Sequence, residues 1–353
     1  MGTGHIMRCL TLADALREKG AEVAFICREL PGNLCALVEQ KGYKVYQFSY
    51  SFKKANTVGP EKNGRYSDWL GVNWRIDAEQ TRLVLLKQKV SWIITDHYAL
   101  DKKWESIIKQ YVKKIMVIDD LANRPHDCDL LLDQNLSENP KDRYKDLVPE
   151  NCKMLLGPEH ALIRSEFYET RKKLKKRNGT IKNILIFFGG SDPTNETQKA
   201  LQAIKTLNKP NIKVSVVIGN SNLHKGKIEK MCSDIPHTFF HCQVDNMAQL
   251  MMEADLAIGA GGITTWERCF LGLPTIIVIV ADNQVQSSVA VSKAGIAWNL
   301  GRKENVGAYD IQKAIERAFD NPDIVKQMSD NALKLTSNKI NSNNVTVIES
   351  LMG

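Results

Sequence analysis

A strand, a glycine-rich turn, a short helix and a second strand follow one another without pause across residues 257–284, AIGAGGITTWERCFLGLPTIIVIVADNQ. Two apolar strands joined through a helix belong side by side in a parallel sheet. The first strand runs into Gly259, Ala260, Gly261 and Gly262, and Thr264 and Thr265 open a helix that stops at Gly272-Leu273-Pro274. Glycine lets backbone approach a ligand closely, and the N–H groups of a helix start favour phosphate. Glu267 lies just inside that helix, where its carboxylate is placed to accept from ribose hydroxyls. Asp282, Asn283 and Gln284 end the second strand at the edge where open α/β sheets bind ligands. The same residues also read as a tight turn with a capping threonine.

The strand–helix alternation extends along the chain. A helix is expected from Ile6 to Gly20, with residues 1–5 as its opening turn, then a buried strand at 23–27, a helix at 33–40 and a strand at 44–48. After a polar segment (49–75) come a helix at 77–88, a strand at 92–95, a helix at 103–111, and strands at 114–118 and 130–132. The prolines and charges of 137–182 mark a boundary. Beyond it, strands are expected at 183–188, 214–218 and 238–241, with helices at 195–207, 247–253, 309–319 and 322–334. Residues 345–352 are expected to pack back onto the first half. The fold class is therefore α/β, with a domain at 1–150, a linker at 151–180 and a second domain at 181–353. A Gly-rich turn that opens a helix normally follows a strand, yet only the initiating methionine precedes Gly2. Such a strand is usually central in a doubly wound sheet, so its absence should expose apolar backbone.

Hydrophobic content of 43% with 25% charged residues fits a globular protein, and no apolar run reaches the roughly 18 residues of a membrane span. A cytoplasmic home without stable membrane insertion is expected. The eight cysteines are scattered, with no CxxC pair, so reduced packing thiols are expected rather than disulfides or a metal site. A net charge of +8 suits an anionic small substrate. The densest basic run, 171–177, lacks interleaved aromatics and reads as a solvated linker helix rather than a nucleic-acid surface. Oligomeric state is not readable.

Polar residues gather at strand ends: Asp96-His97-Tyr98, Asp119-Asp120, and Asp133-Gln134-Asn135. A second small-residue turn, Gly189-Gly190-Ser191-Asp192-Pro193-Thr194, opens the helix at 195 as another phosphate candidate. Each also has a plainer account as a turn, with a half-buried tyrosine in the case of Tyr98. Neither glycine turn carries the dinucleotide fingerprint and no Walker lysine is present, so neither NAD nor ATP, nor any other cofactor, is expected.

Together GTGHIMRCLTLADAL, TDHY, IDD, LLDQN, GPEHALIRSEF, FFGGSDP, GAGGITTWERCFLGLP and ADNQ resemble one family over nearly the whole chain. It is the UDP-2,4-diacetamido-2,4,6-trideoxy-beta-L-altropyranose hydrolases of pseudaminic acid biosynthesis, with the similar spore-coat polysaccharide proteins. The resemblance implies a GT-B fold, two Rossmann-like domains facing across a cleft, like the transferase that adds GlcNAc to the lipid-linked peptidoglycan precursor. It implies UDP against the second domain and the sugar between the domains. Carried over, His5 would activate the attacking water, a task that needs a base of near-neutral pKa. The alternative is a histidine that only bonds the diphosphate or caps the helix. Asp96 and Tyr98 would hold sugar or water, and Asn283 with Gln284 would meet the diphosphate or the sugar amides. Gly190, Ser191, Gly261, Gly262 and Thr264 would donate to phosphate, and Glu267 would bind ribose. Arg8 would neutralise diphosphate or else face solvent, while His97, His160, Cys9 and Cys269 would be structural.

The reaction implied is water attack at the anomeric carbon with UDP leaving. UDP is a weak base, so no general acid and no glycosidase-type carboxylate pair is required. A GT-B glycosyltransferase and a non-catalytic nucleotide-sugar binder are the competing readings.

Overall fold

The computed structural model describes residues 3–50, 66–207, 209, 211–337 and 344–353. Gly2 and most of the polar segment after residue 49 therefore lie outside the described residues. In order, the first half contains α1 (Gly4–Glu18), β1 (Ala24–Arg28), α2 (Cys35–Gln40), β2 (Lys44–Phe48), α3 (Trp74–Leu85), β3 (Val90–Thr95), α4 (Lys102–Ile108), β4 (Val112–Ile118), β5 (Leu130–Asp133), α5 (Pro140–Arg143) and β6 (Lys153–Leu156). After α6 (Ser165–Lys172) come β7 (Asn183–Phe187), α7 (Glu196–Thr206), β8 (Lys213–Ile218), α8 (Lys225–Ser233), β9 (Thr238–Cys242), α9 (Met247–Glu253), β10 (Leu256–Ala260), α10 (Thr264–Phe270), β11 (Thr275–Ile279), α11 (Val285–Lys293), β12 (Ala297–Arg302), α12 (Ala308–Asp320), α13 (Pro322–Ser337) and α14 (Val345–Met352).

The second half is built on one six-stranded sheet in the order β12-β11-β10-β7-β8-β9, parallel at every pairing. Its central strands are apolar on both sides, as a parallel sheet covered on both faces requires. All five residues of β10 and of β11 are buried. Side chains alternate across the sheet with the period of two that strands impose. Ile184 and Ile186 face a core shared with Leu201 and Ile315, and Leu185 faces the opposite core with Met251 and Phe270.

The first half has two smaller parallel sheets, β3-β4-β5-β6 and β1-β2. One helix spans both. Leu10 and Ala13 of α1 pack with Val38 and Tyr43 over the pair, while Leu12, Ala15 and Leu16 pack with Met116, Ile118 and Leu130 over the larger sheet. The strand expected to be buried at 23–27 is not: Phe25, Ile26 and Cys27 are only half-buried. Among the described residues β1 pairs with β2 alone, so its other edge lacks a neighbour.

The return of the C-terminus expected from the sequence is present, with Val347, Ile348 and Leu351 of α14 in the core of α1. The basic run is not simply solvated. Arg177 donates to the carbonyls of Ala254, Met251 and Gly272, and Arg171 to Thr336 Oγ1, tying off the ends of neighbouring helices. Among the described residues no helix is long and apolar enough to cross a membrane, and all eight cysteines are free.

Candidate functional site

The site forms where the first turn of α1 meets the carboxyl ends of β3 and β4. His5 lies inside that first turn rather than ahead of it, and Arg8 follows one turn later on the same face. Both reach Asp96, just beyond β3. His5 Nδ1 lies 2.5 Å from Asp96 Oδ1, and Arg8 donates from Nε to Oδ2 and from Nη2 to Oδ1, each at 2.6 Å. Arg8 Nη1 also donates to Asp120 Oδ2, beyond β4, at 3.3 Å.

Arg8 is 1% exposed, which rules out the alternative that it faces solvent. Its guanidinium is taken up by two carboxylates, so the structure gives it an orienting place behind His5. Burial opposes charge on Arg8, but Asp96 and Asp120 outweigh it and raise its pKa. Burial alone would likewise raise the Asp96 pKa, yet Arg8 and the His5 imidazole together lower it, so the carboxylate stays ionised.

That charge settles the imidazole's orientation. An ionised carboxylate only accepts, so the 2.5 Å contact places a proton on His5 Nδ1, and in the neutral ring the lone pair lies on Nε2. Arg8 Nη2 also lies 3.5 Å from Nδ1, but with the proton on Nδ1 both are donors and form no hydrogen bond. Tyr98 meets the imidazole edge-on at 4.8 Å between ring centroids and is backed by Tyr66 and Trp69. Rather than half-buried, Tyr98 is 3% exposed, and burial together with Asp120 raises its pKa. His97 points elsewhere: its Nδ1 accepts from Ala99 N at 3.1 Å, and burial followed by the nearby His5 lowers its pKa to about 4. Burial, then Asp96, raises the Cys9 pKa and keeps the thiol protonated.

The second domain closes over this cluster. Asn283 Nδ2 donates to Tyr98 Oη at 3.0 Å, and Arg143 Nη2 donates to Gln286 Oε1 at 3.2 Å. Instead of ending the strand, Asp282, Asn283 and Gln284 form a tight helical turn leading into α11, and Gln284 Oε1 accepts from Val280 N. The two glycine loops face the start of α1. A Cβ on Gly4 would lie 2.8 Å from Ile263 Cδ1, and one on Gly190 would lie 3.6 Å from Thr3 Oγ1. Gly262 lies near the Gln284 side chain, and Gly261 sits so tightly on Ser288 that a Cβ there would come 2.0 Å from its Oγ.

Thr264 begins α10, and Ser191 lies beside Gly190 half-buried. The helix after Ser191 is not open to phosphate in the way expected, because Asp192 accepts from Glu196 N and Thr197 N at 3.0 and 2.9 Å. Glu267 is met by a bidentate partner, Arg164, at 2.7 and 3.1 Å. Arg164 and Arg143 were not singled out from the sequence. Arg164 lies within GPEHALIRSEF, so its signal was available; Arg143 lies on a one-turn helix with no pattern around it. Among the described residues no cluster of three or more histidines, cysteines or carboxylates could hold a metal. A small pocket lined by Tyr168, Trp266, Phe270 and Asn344 lies elsewhere and includes none of the residues around His5.

The chain as a whole is similar to known proteins. The model of the glycosyltransferase family 28 C-terminal domain matches residues 184–344. The chain is 27% identical over 296 residues to the UDP-2,4-diacetamido-2,4,6-trideoxy-beta-L-altropyranose hydrolase of Campylobacter jejuni, covering 84% of this chain and 93% of that one. It is 30% identical over 169 residues to the spore coat polysaccharide biosynthesis protein SpsG of Bacillus subtilis, covering 46% of this chain and 48% of that one. The crystal structure of Acinetobacter baumannii MurG superposes with a TM-score of 0.63 at 15% identity, over 99% of this chain and 97% of that one.

The fold is thus GT-B, two Rossmann-like domains closed on a cleft, in a protein of the nucleotide-sugar-handling class. Within that class the chain is similar to the UDP-diacetamido-altropyranose hydrolase of Campylobacter jejuni over most of its length, and to the Bacillus subtilis spore-coat protein over about half of it.

Proposed function

We propose that the chain hydrolyses a UDP-linked 2,4-diacetamido-2,4,6-trideoxy sugar to free sugar and UDP. The observation that carries this reading is the His5–Asp96 contact of 2.5 Å, which leaves Nε2 as the basic nitrogen of a buried imidazole. A water on the sugar side of His5 gives its proton to Nε2 as its oxygen bonds to the anomeric carbon. The bond from that carbon to the UDP oxygen breaks, and UDP leaves with the bonding electrons. Asp96 stabilises the imidazolium as it forms, and Arg8 fixes Asp96. Gly190, Ser191, Gly261, Gly262 and Thr264 are the proposed diphosphate donors, and Glu267 with its partner Arg164 the proposed ribose contact. Asn283 and Gln284 are the proposed contacts to diphosphate or sugar amides. Tyr98 would exchange its bond to Asn283 for one to the sugar or water.

The family 28 domain match favours a second reading, in which an acceptor hydroxyl replaces the water. The two separate on UDP release from the synthetic sugar nucleotide without acceptor. Hydrolysis predicts release, reduced roughly 100- to 10,000-fold by His5→Asn. A folded chain that binds UDP and releases it only when an acceptor is added is a transferase. One that binds the sugar nucleotide and never turns it over is a binder.

A further inference from the structure

Asp120 closes the cluster beyond Arg8, and one oxygen of its carboxylate lacks a hydrogen bond. Its Oδ2 accepts from Arg8 and its main-chain carbonyl accepts from Arg143 Nη2 at 3.0 Å. Its side chain is 10% exposed, and Oδ1 is buried with no hydrogen-bond partner. A buried carboxylate oxygen without a donor is costly, and native structures rarely keep one without a use. Two features place this oxygen in the interdomain cleft. The Tyr98 phenol lies beside the Asp120 carboxylate, whose charge and hydrogen bonding help raise its pKa, and Tyr98 Oη accepts from Asn283 of the second domain. The arginine that holds the Asp120 carbonyl also crosses to Gln286. Both residues that flank Asp120, Tyr98 and Arg143, thus bond the second domain.

We infer that Asp120 is a specificity-determining residue whose free oxygen accepts a hydrogen bond from an N–H or O–H group on the sugar. The inference rests on the nucleotide-sugar reading above and names the part of the ligand that this chain selects. A carboxylate cannot donate, so Oδ1 favours a substituent that presents a hydrogen and repels one that presents only lone pairs. An acetamido N–H fits without ambiguity, because it can only donate; a hydroxyl fits in one of its rotamers.

Asp120→Asn tests this with little change of shape. Arg8 keeps the amide oxygen, which turns the NH2 towards the place of the ligand donor, so that donor meets donor. Equilibrium binding is measured in the His5→Asn background, where the sugar is not consumed. The ligands are UDP, the UDP-diacetamido-trideoxy sugar, and its analogues with the 2-acetamido, 4-acetamido or 3-hydroxyl group replaced by hydrogen. Asp120→Asn should weaken the parent roughly 10- to 100-fold and leave UDP within about twofold. One analogue should bind weakly to both chains and be insensitive to the substitution, and its identity separates amide from hydroxyl.

A purely structural role lowers every ligand together, and that result overturns the inference. So does a parent that binds no more tightly than UDP. If Asp120→Asn fails to fold, the ligand series on the Asp120 chain still decides, since analogues that all match the parent leave no donor for Oδ1. Hydrolysis is judged separately by UDP release from the unsubstituted chain, so either idea can fall alone.

Discussion

The two rims of the cleft are built by opposite means. On the first domain, Arg8, Asp96, His5 and Asp120 are charged or polar groups taken out of water and held by one another. On the second, Gly259, Gly261 and Gly262 offer no side chain, and the backbone itself lies against its neighbours. A Cβ on Gly259 would come 2.3 Å from the Phe187 carbonyl of the adjoining strand, and one on Gly219 would come 2.8 Å from Gly190. The difference teaches where each rim is fragile. The charged rim fails when a group is removed, because its partner is left buried and unpaired. The glycine rim fails when a group is added.

The largest effect on stability should come from Asp96→Ala. Arg8 and Asp96 have side chains 1% and 2% exposed, and removing the carboxylate strands the guanidinium with only the 3.3 Å contact to Asp120. Breaking a buried pair in this way costs about 3–5 kcal/mol. Urea unfolding of the first domain measures it, and UDP release should fall with it because His5 loses its anchor. A loss below about 1 kcal/mol would mean that Asp120 alone neutralises Arg8, and the contrast between the rims would weaken.

The same contrast explains how much the sequence disclosed. The glycine rim was legible because its chemistry is local: 256–275 is a contiguous strand, turn and helix, and the apolar runs on either side state its period. From the residues alone His5, Asp96 and Tyr98 were picked out as strand ends and a turn, and their roles as base and as sugar or water contacts came from the family resemblance. That Arg8 reaches Asp96 across 88 positions is a fact of packing, and nothing near Arg8 in sequence announces it. Asp120 was visible as part of an acidic strand end without a role, since an orphaned oxygen exists only once its surroundings are folded. β6, α8, α11 and β12 went unread. β12 carries Asn299 and Arg302 in a six-residue strand, so the pattern lacks an apolar run, and its pairing with β11 supplies the stability. The solvated reading of 171–177 holds for its four exposed lysines and fails for Arg171 and Arg177, because arginines can satisfy groups at helix ends as readily as water can.

A smaller, pH-dependent effect should appear at His97, on the charged rim but outside the cluster's bonding. Burial followed by the proximity of His5 lowers its pKa from 6.5 to about 4. The unfolded chain therefore takes up a proton as pH falls through 6.5, and the folded chain does not until about 4. Stability from this group is full above 6.5 and is lost on acidification towards 4, by about 3 kcal/mol across the window. Asp133 works the other way, because burial raises its pKa to about 6 and the folded chain holds a proton that the unfolded chain has released. The net acid limb therefore hides both, and the difference between the unsubstituted chain and His97→Gln is the quantity to measure. The stability advantage of the unsubstituted chain should shrink between pH 7 and 4. A pH-independent difference would show that His97 titrates alike in both states.

On the glycine rim the matching experiment is the addition of one methyl group. In Gly259→Ala the new Cβ meets the Phe187 carbonyl of β7 at 2.3 Å and Arg268 Nη1 at 2.6 Å. The guanidinium can shift only at the expense of its bonds to the Ala260 carbonyl and Thr265 Oγ1, at 2.6 and 3.1 Å. The carbonyl belongs to the sheet and moves only with β7. Overpacking of this kind costs about 1–3 kcal/mol, and it should appear as a lower urea midpoint for the second domain with an unchanged m-value. Because β10 feeds directly into Gly261 and Gly262, UDP affinity should fall as well, while the melting of the first domain stays the same. If UDP affinity held while stability fell, the glycines would serve sheet packing alone, and the proposed diphosphate contact would rest on Thr264, Gly190 and Ser191.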